Sequence, residues 1–147
     1  MLTRVQNWDT RAFHDFLLQR ATAPFVWGAN DCALFAADGI QVITGVDIAA
    51  DFRGKYVDEA GAWETIREIC GGKTSVADAA AYCAEQNGLA ELEHTRCAQR
   101  GDLVVFENAE GVLVAGLVHL SGAHIVAVGE QGLYRFPISA IKRAWNV

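Results

Sequence analysis

The sequence predicts an α+β domain, with helices in the first two thirds packed on an antiparallel sheet built from the last third. Three observations point there. Apolar residues recur at helical spacing between Asp9 and Gln86, with capping residues at the starts and glycines at the ends. After Arg100-Gly101-Asp102 the pattern changes to short β-prone runs separated by glycine-containing turns. The chain has 147 residues, 52 % hydrophobic and 20 % charged, which suits one globular domain with a real core. The expected organisation is a single domain over residues 1–147, helical over about 9–88 and β over about 101–147.

Asp9 reads as an N-cap, with Trp8 and Phe13 flanking it as a hydrophobic staple. Phe13, Phe16 and Leu17 then form one apolar face of a helix ending near Ala21. Pro24 stops that helix and imposes an extended approach to Trp27. The next helix starts at Asn30-Asp31-Cys32, runs to about Thr44 and is closed by Gly45. Cys32, Phe35, Ala36, Gly39, Ile40 and Ile43 share its inward face, and its small residues let another element approach closely. A loop over Ile48 to Tyr56 follows. Two more helices are expected, one from about Asp58 to Cys70 and one capped by Ser75 and closed by Asn87-Gly88. The strands are expected at Leu103–Phe106, Val112–His119, Ala123–Val128 and Leu133–Phe136. A helical turn at Pro137 and an edge strand from Arg143 to Val147 complete the chain.

The net charge of −6, with no compensating Lys/Arg cluster, argues against nucleic acid as a partner. The longest apolar runs, such as Leu103 to Phe106, are too short to span a bilayer. The N-terminal residues lack the basic-then-apolar pattern of a signal peptide, so synthesis and folding in a cytoplasm are expected. Cys32, Cys70, Cys83 and Cys97 form no C-x-x-C pair, which argues against a disulfide framework or a structural zinc site. No metal and no cofactor is expected. A weaker alternative is a cysteine-based metal or cluster site shared with a partner chain. Cys70, Cys83 and Cys97 read as small buried hydrophobes.

The stretch Trp27-Gly28-Ala29-Asn30-Asp31-Cys32 carries the chemistry. A thiol in the first turn of a helix faces unpaired N–H groups and the positive end of the helix dipole. Both favour the thiolate, the nucleophilic form. Asp31 reads first as the cap of that helix and second as a group that orients a base. Trp27, Arg53 and Tyr56 are candidates to line a groove over the Cys32 helix, with Trp27, like Trp145, reading first as a core or interface anchor and Arg53 reading first as a structural ion-pair or backbone-carbonyl donor.

Asp31-Cys32, with helices after it and then Arg100-Gly101-Asp102-Leu103-Val104-Val105-Phe106 opening a sheet, resembles the NlpC-type branch of the papain-like cysteine peptidases. More narrowly, Trp27-Gly28-x-x-Asp31-Cys32, Phe52-Arg53-Gly54-x-Tyr56, Gly101-Asp102, Gly132-Leu133 and Ala144-Trp145-x-Val147 resemble a family of small proteins found in phage and prophage tail gene clusters. The narrow resemblance covers nearly the whole chain. The NlpC-type resemblance implies a papain-like fold, Cys32 as the nucleophile position, and a catalytic histidine opening the strand after Gly-Asp-Leu in a pattern like His-Val-Gly-Ile. The matching segment here is Val114-Ala115-Gly116-Leu117, so Val114 stands where the base is expected. The family's third polar residue maps near Val126.

Strand alternation decides whether another histidine can substitute. If Val114 faces Cys32, His119 faces away unless a bulge near Leu120 changes the count, whereas His124 shares the parity of Val126 and becomes the candidate base, its first reading being a satisfied strand histidine near a turn. His14 and His94 read as solvated surface. The resemblance therefore implies a phage tail-tip or tail-assembly component with a degenerate cysteine-peptidase site, located in the virion and made in the host bacterial cytoplasm. Its partners are other tail-tip or baseplate proteins. The alternative is an active cysteine hydrolase that cleaves cell-wall peptides during genome entry, with Cys32 as nucleophile and His124 as base.

Overall fold

The computed structural model describes residues 2–147. A π-helical turn, Trp8–Ala12, leads into α1 (Phe13–Arg20), followed by α2 (Cys32–Thr44), α3 (Glu59–Ile69) and α4 (Val76–Gln86). The strands are β1 (Leu103–Glu107), β2 (Leu113–Val118), β3 (His124–Gly129), β4 (Gly132–Pro137) and β5 (Ile141–Trp145). They form one antiparallel sheet in the order β4-β3-β2-β1-β5. The molecule is thus α+β, four helices packed on a five-stranded antiparallel sheet.

Local chemistry explains most element boundaries. Asp31, Asp58 and Ser75 each cap a helix through a side-chain oxygen, and Gly45 ends α2 in the left-handed conformation at φ 82°. The first helix differs from expectation. It begins at Trp8 after Asn7, which has φ 60° and makes no side-chain cap bond. Asp9 lies inside that turn and accepts from the Thr10 amide at 3.0 Å, so it is not the cap. The Trp8 and Phe13 rings still pack, 6.3 Å apart.

The chain passes from one sheet edge to the other through a three-residue turn, Ile138–Ala140. In a flat sheet those edges lie four strand spacings apart, about 19 Å. A connector from Pro137 to Ile141 reaches at most about 14 Å. The sheet must therefore curl, and the curl makes two cores. On the helix side, Leu103, Val105, Ala115, Leu117, Val126 and Val128 pack against Phe13, Phe16, Leu34, Phe35, Ile40 and Ile43. Inside the curl, Val104, Phe106, Val118, Ile125, Ala127, Ile141 and Ala144 pack together, with the Phe106 ring 5.4 Å from that of Phe136. Full burial of residues on both faces explains why β1 reads as a continuous apolar run.

α2 lies directly on β2. A Cβ on Gly39 would meet the Leu117 Cδ1 atom at 2.3 Å, so a larger residue there would force the buried Leu117 side chain to move. Asp102 fixes the entry to the sheet by accepting from the Gln99 amide (2.8 Å), the Val147 amide (3.0 Å) and the Arg4 guanidinium (3.0 Å). Of the three cysteines expected in the core, Cys83 is buried, Cys70 is half-buried and Cys97 is exposed. Cys97 sits in a short 3-10 turn between the two halves, where nothing covers it. Among the described residues no helix is long and apolar enough to cross a membrane.

Candidate functional site

The start of α2 is built around Asp31, which is 1 % exposed. Its Oδ1 accepts from the Leu34 amide at 2.9 Å, and its Oδ2 accepts from the Gly28 amide at 3.1 Å and the Tyr56 hydroxyl at 2.6 Å. Three donors thus hold the carboxylate in the capping role, and no histidine reaches it among the described residues. Gly28 makes this possible. It has φ +78°, and a Cβ there would meet the Tyr56 carbonyl oxygen at 2.4 Å.

Cys32 follows as the first helical residue, 8 % exposed. The sequence favours the thiolate through the helix terminus, but burial opposes it and wins. Desolvation pushes the Cys32 thiol up to about 11, with a main-chain hydrogen bond from Ala115 opposing and the adjacent Asp31 charge adding to the rise. No polar side chain hydrogen-bonds the thiol among the described residues. Burial likewise raises the Tyr56 hydroxyl, and its bond to Asp31 adds to the effect.

The sulfur lies where the sheet forks. β2 and β3 are six residues each, yet they pair only at Leu117↔Val126 and Val118↔Ile125. The Val118 amide donates to Asp102 on the β1 side and the His119 amide donates to His124 on the β3 side. By alternation, Leu113 and Ala115 turn their main-chain groups toward β3. There β3 has diverged, and the Ala115 main chain meets the Cys32 thiol instead.

The fork opens into a cleft of about 640 Å³. Cys32 shares it with Phe25, Trp27, Val114, Val128, Tyr134 and Phe136, and Glu59, Glu110 and Glu130 stand around it. The Phe25 and Trp27 rings meet edge to face at 4.8 Å, and Trp27 continues to Trp63 at 6.3 Å. Trp27 lines the same cleft as Cys32.

The other sequence candidates divide. Val114 lines the cleft, but without the facing that strand parity predicts. Ala115 and Leu117 face α2, whereas Val114 pairs with Phe106 and packs against both cores. His119 accordingly falls on the helix side, in a groove with Leu17, Val126 and Leu133. His124 has the parity of Val126 but stands at the wrong end of β3. It sits beside the turn, 3.4 Å from Ser121 Oγ, while Val128 and Gly129 reach the cleft. Four residues of strand, about 13 Å, separate His124 from Val128. The structure does not bring His124 and Cys32 together.

Arg53 also lies outside the cleft. It binds Asp47 through two bonds of 2.8 and 3.0 Å and Asp38 at 2.8 Å, in a network that includes Arg20. Its hydrogen bonds to Asp47 hold the guanidinium protonated. Tyr56 faces Asp31 and an apolar cavity of about 50 Å³ beneath α2, where Cys83 also lies. Both residues brace the Cys32 helix rather than line a groove.

Sequence reading missed Tyr134, Phe136 and Val128. Phe136 packs with Phe106 inside the curl while Cys32 belongs to the helix side, so period-two patterning assigns them to opposite faces. Only the fork joins them. Among the described residues no three His, Cys, Asp or Glu side chains converge as metal ligands.

Fold and site together define a small α+β domain with a buried thiol on an aromatic, acid-rimmed cleft. The chain belongs to the family described as domain of unknown function (DUF6950), whose model matches residues 3–147. A search of curated proteins finds no significant match.

Proposed function

We propose that this protein is a papain-like, NlpC-type domain whose cysteine site no longer hydrolyses, and that it serves as a binding and assembly component of a phage tail tip. The observation that carries the reading is the Cys32 cleft. Its thiol is raised to about 11, and Val114 lines it where the resemblance places a histidine. Cys–His catalysis depends on a base within hydrogen-bond reach of the sulfur. General-base assistance is worth roughly a hundred- to ten-thousand-fold, so a thiol without it makes a poor hydrolase.

A cleft lined by Phe25, Trp27, Tyr134 and Phe136 suits recognition, because aromatic side chains supply large contact area with few rotatable bonds. In this reading the partners are other tail-tip or baseplate proteins. The protein is made in the host cytoplasm and carried in the virion.

Two experiments test the proposal. Tails assembled without this chain are compared with complete tails for assembly and infection. Defective assembly is expected, and normal infectious tails overturn the assembly role. The parent protein and Cys32→Ala are then incubated with purified cell wall. Neither is expected to release peptide. Release by the parent alone establishes the alternative, an active hydrolase at the same cleft.

A further inference from the structure

We infer that the fork cleft is a docking slot for an extended, lysine- or arginine-bearing segment of a partner protein. The inference rests on the binding reading of the same cleft and names what enters it. Four observations carry it.

The first is charge. Glu59, Glu110 and Glu130 line the cleft, and no Lys, Arg or His lines it among the described residues. Glu110 and Glu130 are exposed in the turns at its mouth. Glu59 is held by the Trp63 indole N–H at 3.3 Å and so is fixed beside the aromatic wall. The second is the wall itself. Trp27, Phe25, Tyr134 and Phe136 line one space. Aromatic faces beside carboxylates attract cations and the aliphatic stems that carry them.

The third is the backbone. β2 and β3 pair only at Leu117↔Val126 and Val118↔Ile125, so the cleft opens between Val114 of β2 and Val128 of β3, which line it without pairing each other. A cleft that opens between diverging strands suits an extended segment laid along it. The fourth is the floor. Cys32, only 8 % exposed, lines the cleft with no side-chain partner for its thiol among the described residues. These features select for an extended backbone and a positive side chain, and they disfavour an acidic ligand.

The test uses an array of heptapeptides alternating Thr or Val with a variable residue swept from Glu through Gln to Lys. The strongest sequences are then titrated in solution with the whole protein. Lysine peptides are expected to bind at least about tenfold more tightly than their glutamate counterparts, with the gap shrinking in about 0.5 M salt. The charge-reversed variant Glu110→Lys/Glu130→Lys is expected to invert the preference, and Glu130→Gln alone to weaken it. Both positions are exposed turn residues, so circular dichroism of each variant is expected to match the parent. Absence of binding, equal binding of acidic and basic peptides, or a preference unmoved by charge reversal overturns the docking slot. Mass spectrometry of the bound peptide separates the two proposals. Cleavage overturns the non-hydrolytic reading and leaves the slot standing. Intact peptide bound with the wrong charge preference overturns the slot alone.

Discussion

The Tyr56 hydroxyl donates a 2.6 Å hydrogen bond to Asp31, the residue that caps the Cys32 helix. That bond joins the loop after α2 to the start of α2, and it fixes the geometry from which the thiol projects. Asp31 is 1 % exposed and accepts from three donors, so the cap is a buried, charge-assisted network rather than a surface turn. Tyr56→Phe is expected to lower stability by about 1–2 kcal/mol, since Asp31 loses one donor and keeps two. Asp31→Ala is expected to cost more, because the cap is lost and three donors lose their acceptor. Urea unfolding of both variants reads the order, and a Tyr56→Phe loss equal to or larger than that of Asp31→Ala contradicts it.

Gly28 is the hinge of the same network. Its φ of +78° disfavours any L side chain, and its Cβ position lies 2.4 Å from the Tyr56 carbonyl oxygen. Gly28→Ala combines backbone strain with a clash against main chain, which cannot swing aside. A loss of about 2–4 kcal/mol is expected, visible as a drop in melting temperature. Gly54, also at positive φ (+79°) but with nothing within 4 Å of its Cβ position, is the control. Gly54→Ala is expected to cost about 1–2 kcal/mol from strain alone.

Arg53 tests whether it braces the fold or meets a ligand. Its fork grips both oxygens of Asp47 and reaches Asp38. Arg53→Lys keeps the charge and loses the bidentate geometry. Stability is expected to fall by about 1 kcal/mol, with peptide binding at the cleft unchanged. A binding defect without a stability change contradicts the bracing role.

The buried thiols give the protein an alkaline weakness. Burial raises Cys32 from an ordinary 9 to about 11 and Cys83 to about 12. The folded state therefore keeps protons that the unfolded chain releases above pH 9. Stability from these groups is fully present below about pH 9 and is lost as pH rises toward 11 and 12. For Cys32 alone the effect amounts to about 2–3 kcal/mol. The unfolding free energy is expected to fall steadily over this range, and Cys32→Ala to flatten the lower part of the decline. A parent whose stability is constant from pH 9 to 11 contradicts the assignment.

Much of this architecture is legible in the sequence, for identifiable reasons. Asp31, Asp58 and Ser75 act locally, and each caps the helix that its position predicts. The glycine-bounded β runs lie within two residues of the strands observed. What depends on distant pairing is less legible. The first helix starts after Asn7, whose side chain makes no cap bond, while Asp9 two residues on offers the same capping chemistry and attracts the assignment. The Val114 parity fails because it assumes which face of β2 meets α2, a choice set by Gly39 lying against Leu117. His124 has the right face and the wrong height, and height along a strand is fixed by where the β2–β3 turn falls. The fork leaves no mark on periodicity at all. It gathers Cys32, Val114 and Phe136 from different layers into one cleft.

The reactivity of Cys32 against that of Cys97 tests most directly whether Cys32 is a passive thiol on a recognition cleft. At a pKa of about 11, on the order of one Cys32 thiol in ten thousand is ionised at neutral pH. Cys97 is exposed. The native protein is treated with iodoacetamide near pH 7, and each site is followed by mass spectrometry of its peptide. Cys97 is expected to be fully modified while less than about a tenth of Cys32 has reacted, with Cys32 labelling rising steeply above about pH 10 or on unfolding. Labelling of Cys32 ahead of Cys97 at neutral pH would mean an activated nucleophile and would contradict the passive role.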